Sequence, residues 1–190
     1  MQTLEIKKGI HWVGVLNATL RAFDVVFKTR YGSTYNSYLI QSDKPTIIDG
    51  VHAKFASEYL DKLRSLINLK DIHYIVVNHT EMDHSGALGC LLKEATNAQV
   101  LSTKTAALFL KNILHMDFKG KVVEDGECIS LGNKQLKFIH APYWHWPDTM
   151  FTYLEEDHVL FPCDGFATHF CDERMFDDRI DDFSEDFRHY

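Results

Sequence analysis

The chain has 190 residues, a length that one domain with a single core accommodates without disulfide staples. A hydrophobic share of 45% and a charged share of 25% are those of a globular chain, and no run nears the roughly 18 apolar residues that span a bilayer, so no membrane partner is expected. The net charge of −7 argues against a nucleic-acid partner, because phosphate binding needs a basic footprint. Residues 171–190 hold eight acids against three arginines, so most of that charge belongs to an acidic tail. The first residues lack the apolar stretch of a signal peptide, which makes a cytoplasmic location the expectation. Cys90, Cys128, Cys163 and Cys171 form no Cys-x-x-Cys pair and read as reduced, small core residues.

In chain order, residues 10–15 read as a strand and 24–29 as a second. After a turn-like stretch at 31–34, residues 35–40 alternate as a third strand; Pro45 breaks it, and 46–49 make a fourth. Short turns between successive strands imply an antiparallel start. The period then changes. Phe55, Tyr59, Leu60, Leu63, Leu66 and Ile67 recur at helical spacing, with Lys54, Glu58, Asp61, Lys62 and Arg64 opposite them, as in a helix that covers a sheet. A strand at 73–77, a helix at 85–95, a strand at 98–101, a helix at 103–114 and a short strand at 121–123 follow. Strands at 136–139, 150–154 and 158–162 close the chain, with a proline-bounded loop at 140–148 between the first two. Hairpins, then β-α-β, then hairpins imply an α/β (α+β) fold: a mixed sheet or two sheets, with helices outside.

The chemistry concentrates after the strand at 73–77. His79, Glu81, Asp83 and His84 place four metal-ligand side chains within six residues, on the loop expected at that strand's carboxyl end. Open α/β sheets put their sites at such ends. Any one of these residues alone would read as a polar loop residue; four together read as a metal site. His145, in the aromatic loop, and Asp164, after the last strand, share the same context. Three imidazoles and three carboxylates exceed the needs of one tetrahedral zinc, so two adjacent metals are implied, with one carboxylate free to bridge. Iron, manganese and zinc all suit such a set. Trp144 and Trp146 flank His145 and could wall the site or receive a planar cofactor, or form a packed aromatic pair. Asp49 reads as a structural residue that fixes the loop backbone beside the metals. His169 and the remaining histidines carry no second cue.

The pattern His79-x-Glu81-x-Asp83-His84, then His145 within His-Trp-Pro-Asp-Thr, then Asp164, resembles the flavodiiron proteins, or A-type flavoproteins. Residues 32–40 and 46–50 share the likeness, which runs from about residue 10 to 170. The resemblance implies a metallo-β-lactamase-like αββα sandwich of two mixed sheets flanked by helices, occupying residues 1–170. It implies a non-haem diiron centre, one iron held by His79, Glu81 and His145, the other by Asp83 and His84, with Asp164 bridging. Glu81 favours iron, since zinc hydrolases of the fold usually carry His there. The implied activity is reduction of dioxygen or nitric oxide, in anaerobic or microaerophilic cells, with electrons from a separate redox donor protein. A dioxygen sensor with a signalling partner is the second reading, and a zinc hydrolase of the same fold the third. The family places another His ligand several dozen residues beyond the Asp164 position and a flavodoxin-like domain after it. Neither is expected within residues 1–190: no flavin is expected on this chain alone, and 171–190 read as the acidic tail or the start of the rest of the domain. Family members often pair head to tail, so a homodimer fits the resemblance.

Overall fold

The computed structural model describes residues 3–180. Strands β1 (Leu4–Lys7) and β2 (Ile10–Trp12) open the chain as an antiparallel hairpin. The strand expected at 10–15 is split at Val13-Gly14, between β2 and β3 (Val15–Asn17). Gly14 allows the break: a Cβ there would lie 2.1 Å from the Tyr35 carbonyl oxygen. The strand expected at 24–29 is corrected to a tight hairpin of β4 (Ala22–Phe23) and β5 (Phe27–Lys28). At its tip Asp24 and Val25 take φ of +45° and +68°, and Val25 is 94% exposed. Val25 and Val26 imitate a strand in sequence, but they form the exposed tip of this hairpin, and only Phe27 and Lys28 pair. β6 (Ser33–Tyr35) returns to pair with β3, and β7 (Tyr38–Ile40) joins β2, so the strand expected at 35–40 also divides.

β8 (Thr46–Ile48) leads into α1 (Ala56–Leu66), and β9 (Tyr74–Val77) follows. The helix expected from 85 begins earlier, as α2 (Met82–Ser85), and resumes as α3 (Leu88–Glu94). The Glu81 carbonyl accepts from both His84 N and Ser85 N at 2.9 Å, which winds Asp83 and His84 into a helical turn rather than the expected loop. β10 (Gln99–Ser102), α4 (Lys104–Leu114) and β11 (Gly120–Val122) complete the parallel part; the Thr103 hydroxyl caps α4 by accepting from Ala106 N. Four antiparallel strands end the fold: β12 (Cys128–Ser130), which the sequence reading missed, β13 (Gln135–His140), β14 (Met150–Leu154) and β15 (Val159–Phe161).

Two main sheets result, ordered β1-β2-β7-β8-β9-β10-β11 and β12-β13-β14-β15, beside the two-stranded pairs β3-β6 and β4-β5; the first is mixed and the second antiparallel. Strands β8 to β10 read as near-continuous apolar runs because both their faces are covered. Ile47, Ile75, Val77 and Val100 face Tyr59, Leu63, Leu91 and Leu110 of the helices. Ile48, Val76 and Leu101 face Leu136, Phe138, Met150, Leu154 and Phe161 of the second sheet. Each such side chain contributes roughly 1.5–3 kcal/mol by leaving water, and the helix–sheet–sheet layering follows from it. The cysteines do not share this core: Cys90 and Cys128 are exposed, Cys163 and Cys171 half-buried, and all four are free. Among the described residues no helix is long and apolar enough to cross a membrane. Of the acidic tail, Asp181, Asp182, Glu185 and Asp186 lie outside the described residues.

Candidate metal centre

Asn78 ends β9 and is fully buried. Its backbone N–H donates to Asp49 Oδ1 (2.8 Å), and its side chain donates to Asp49 Oδ2 (3.1 Å) and the Phe161 carbonyl (3.2 Å). Its Oδ1 accepts from Thr152 Oγ1 (2.6 Å), and its carbonyl accepts from Met150 N (2.9 Å). One residue thereby ties the first sheet to the second at the point where the candidate ligands begin. Asp49 fixes the loop backbone in the manner expected of it. Burial pushes its carboxyl up to about 6, against the pull of His84 and the Asn78 hydrogen bonds.

The six candidate residues converge. His79 Nε2 and His145 Nε2 lie 3.1 and 3.2 Å from Glu81 Oε2. Asp164 Oδ2 is 3.9 Å from His79 Nε2 and 3.5 Å from His145 Nε2, while its Oδ1 is 3.0 Å from His84 Nε2. Asp83 Oδ2 is 3.7 Å from His84 Nε2. One donor atom from each of His79, Glu81, His145 and Asp164 falls within a 4.8 Å span, and so does one from each of Asp83, His84 and Asp164. The two groups share Asp164, which turns one oxygen toward each. Asp83 Oδ1 and His84 Nδ1 are buried without a hydrogen-bond partner, a cost that native interiors rarely carry without a reason. His145 is held at φ +96°, a conformation rare for an L side chain, in a loop that Tyr143 N closes by donating to the Trp146 carbonyl.

The charges are mutually stabilised. Burial works to lower His79, but hydrogen bonds to Asp148 and Glu81 raise it to about 9. His84, also opposed by burial, is held well above the ordinary imidazole range by Asp164 and Asp83. Burial would raise Glu81 and Asp164, but the imidazoles around them hold both down. Asp83, more buried than paired, is pushed up. A His raised from 6.5 to about 9 stabilises the fold fully below 6.5, and that contribution is lost as pH rises through about 9. The melting temperature of the metal-free chain, measured in chelator, is therefore expected to fall across that window, and a flat profile would contradict the assignment. Bound cations would replace these protons, so metal affinity is expected to climb over the same range.

Several neighbours escaped the sequence reading. Asp148, 1% exposed, places Oδ1 3.2 Å from His79 Nδ1, while its Oδ2 accepts from Thr80 N (2.8 Å) and Thr80 Oγ1 (2.6 Å). Its signal was present, since it shares the proline-bounded loop with His145. Asp24, at the β4–β5 tip, lies close enough to Glu81 for its carboxyl to be raised, by burial first and then by that neighbour; an isolated Asp in an apolar run announces nothing. His169 packs tilted against Phe23 at 4.5 Å between ring centroids and sits 3.0 Å from Ser33 Oγ, close enough to the centre to sense Asp164 and Glu81. Trp146 meets the His79 ring edge-on at 5.0 Å, whereas Trp144 packs against Phe151 and Phe166. Of the two, Trp146 is the one in ring contact with candidate ligands.

Residues 34–190 match the model of the ODP family beta lactamase. The chain is 45% identical over 182 residues to the flavo-diiron protein FprA2 of Clostridium acetobutylicum, covering 95% of this chain and 46% of that one. It is 44% identical over 179 residues to the anaerobic nitric oxide reductase flavorubredoxin of Salmonella arizonae, covering 93% and 37%. The rubredoxin oxygen:oxidoreductase of Desulfovibrio gigas superposes with a TM-score of 0.96 at 31% identity, covering 100% of this chain and 48% of that one. The chain thus spans less than half the length of these relatives. It belongs to the ODP β-lactamase family, as a metallo-β-lactamase-like domain of the flavodiiron proteins.

Proposed function

We propose that His79, Glu81, Asp83, His84, His145 and Asp164 hold two iron ions, and that the chain reduces dioxygen or nitric oxide with electrons from a separate donor. The observation that carries this reading is the pair of donor groups sharing Asp164, with one carboxylate oxygen directed to each. The donors are all nitrogen and oxygen, with no thiolate among them, and carboxylates make up half the set, which suits iron. The names of the relatives supply the substrate class: one is called an oxygen:oxidoreductase and another a nitric oxide reductase. Iron bound there would supply two electrons to one bound diatomic gas.

The chain's own groups set the conditions. Trp146 and the buried faces of His79 and Glu81 limit water around the ligands. Around the mouth, Val25, Val26, Phe27, Tyr143, Trp144 and Phe166 are exposed, an apolar rim suited to a docking electron donor in the cytoplasm. The test is to load the chain with ferrous iron without air, add a reduced flavoprotein, and follow gas consumption. Many turnovers with dioxygen or nitric oxide are expected. A protein that binds dioxygen but never turns over would be a sensor, and one inert to both gases would sink the proposal.

A further inference from the structure

We infer that Asp148 is a positioning residue that decides which nitrogen of His79 is free to bind a metal. The backbone N–H of Thr80 can only donate, so Asp148 Oδ2, 2.8 Å away, must accept. The carboxylate has no hydrogen of its own, so Oδ1, 3.2 Å from His79 Nδ1, accepts as well. With a cation on Nε2, the atom that faces Glu81 and Asp164, that arrangement leaves the ring's one proton on Nδ1; without a cation, Glu81 Oε2 at 3.1 Å accepts from Nε2 as Asp148 accepts from Nδ1. The carboxylate cannot turn away. The Asp148 carbonyl accepts from Thr103 Oγ1 at 3.1 Å, and Thr103 in turn caps α4. The Thr80 carbonyl is held by Ser85 Oγ at 2.8 Å. A chain of hydrogen bonds from two helices therefore holds the Asp148 carboxylate against His79 Nδ1.

The arrangement makes an isosteric substitution the harmful one. In Asp148→Asn the amide oxygen must serve the Thr80 N–H, so its NH₂ points at His79 Nδ1 and donates. The ring is forced to carry its proton on Nε2, where Glu81 Oε2 at 3.1 Å accepts it and closes the site. Asp148→Ala removes the partner but imposes no tautomer. The inference rests on reading the cluster as a metal centre, and not on which gas it reduces.

Ferrous iron binding without air, by competition against a chelator, tests it on the full chain. Asp148→Asn is expected to weaken binding at the His79 position by about ten- to a hundredfold, the range typical of partners that orient metal-bound imidazoles. Asp148→Ala is expected to bind iron more tightly than Asp148→Asn while melting at a lower temperature. A purely structural role would order both measurements the same way. The imidazole ¹⁵N resonances of the metal-free proteins at alkaline pH give an independent readout, which stands even if the alanine variant fails to fold. An Nδ1–H signal, sharing the ring with Nε2–H, is expected in the wild type, and its loss to Nε2–H alone is expected in Asp148→Asn. Wild-type affinity in Asp148→Asn, or an unchanged tautomer, would overturn the inference. A wild type that takes up no iron would overturn the metal centre itself and the inference with it, and that failure shows in the wild-type arm alone.

Discussion

Asp164→Ala is expected to lose both metals, while His145→Ala loses one. The asymmetry comes from geometry: His145 Nε2 contributes to a single donor group, whereas Asp164 contributes an oxygen to each. Asp164→Asn sharpens the comparison, because an amide offers one oxygen and can serve only one group. Metal content after anaerobic loading and gel filtration should rank wild type first, Asp164→Asn and His145→Ala next, and Asp164→Ala last. The weakening in Asp164→Ala should exceed the roughly hundredfold loss typical of an outer partner, since a ligand itself is removed. Two tightly held metals in Asp164→Ala would show that the groups bind independently of it.

Asn78→Ala is expected to be the most destabilising of the single substitutions near the site. It deletes three side-chain hydrogen bonds and strands Asp49 Oδ2, the Phe161 carbonyl and the Thr152 hydroxyl in the interior. Each buried group left unpaired costs about 1–3 kcal/mol, so the three together are expected to cost about 3–9 kcal/mol, a large part of a typical domain's 5–15 kcal/mol. Thr152→Val removes one of these bonds and should cost about 1 kcal/mol. Denaturant midpoints of the metal-free proteins separate the two. Equal small losses would mean that the sheets are not tied through Asn78.

The parts of this structure legible in the sequence are those with a strong period or a dense motif. The parallel strands were visible as runs such as Ile75-Val76-Val77, and α1 and α4 as 3.6-residue patterns, because burial on defined faces dictates them. The six candidate ligands were legible because four are crowded into one turn and two follow strands of the same sheet system. What stayed hidden depends on the path of the chain through space. The apolar run Val25-Val26-Phe27 belongs to an exposed hairpin whose left-handed Asp24 and Val25 no periodicity reveals. Gly14 breaks a strand because the Tyr35 carbonyl approaches it from elsewhere in the chain. Asp148 and Asp24 gain their roles from residues 68 and 57 positions away, so neither could be assigned until the fold brought them to His79, Thr80 and Glu81.

The claim beneath all of this is that the shared-carboxylate cluster is a two-iron centre. Metal analysis of the chain purified without air, with iron, zinc and manganese quantified together, tests it most directly. Two irons per chain, both lost together on replacing Asp164 with alanine, is the predicted result. Zinc as the dominant metal, or no stoichiometric metal at all, would contradict it.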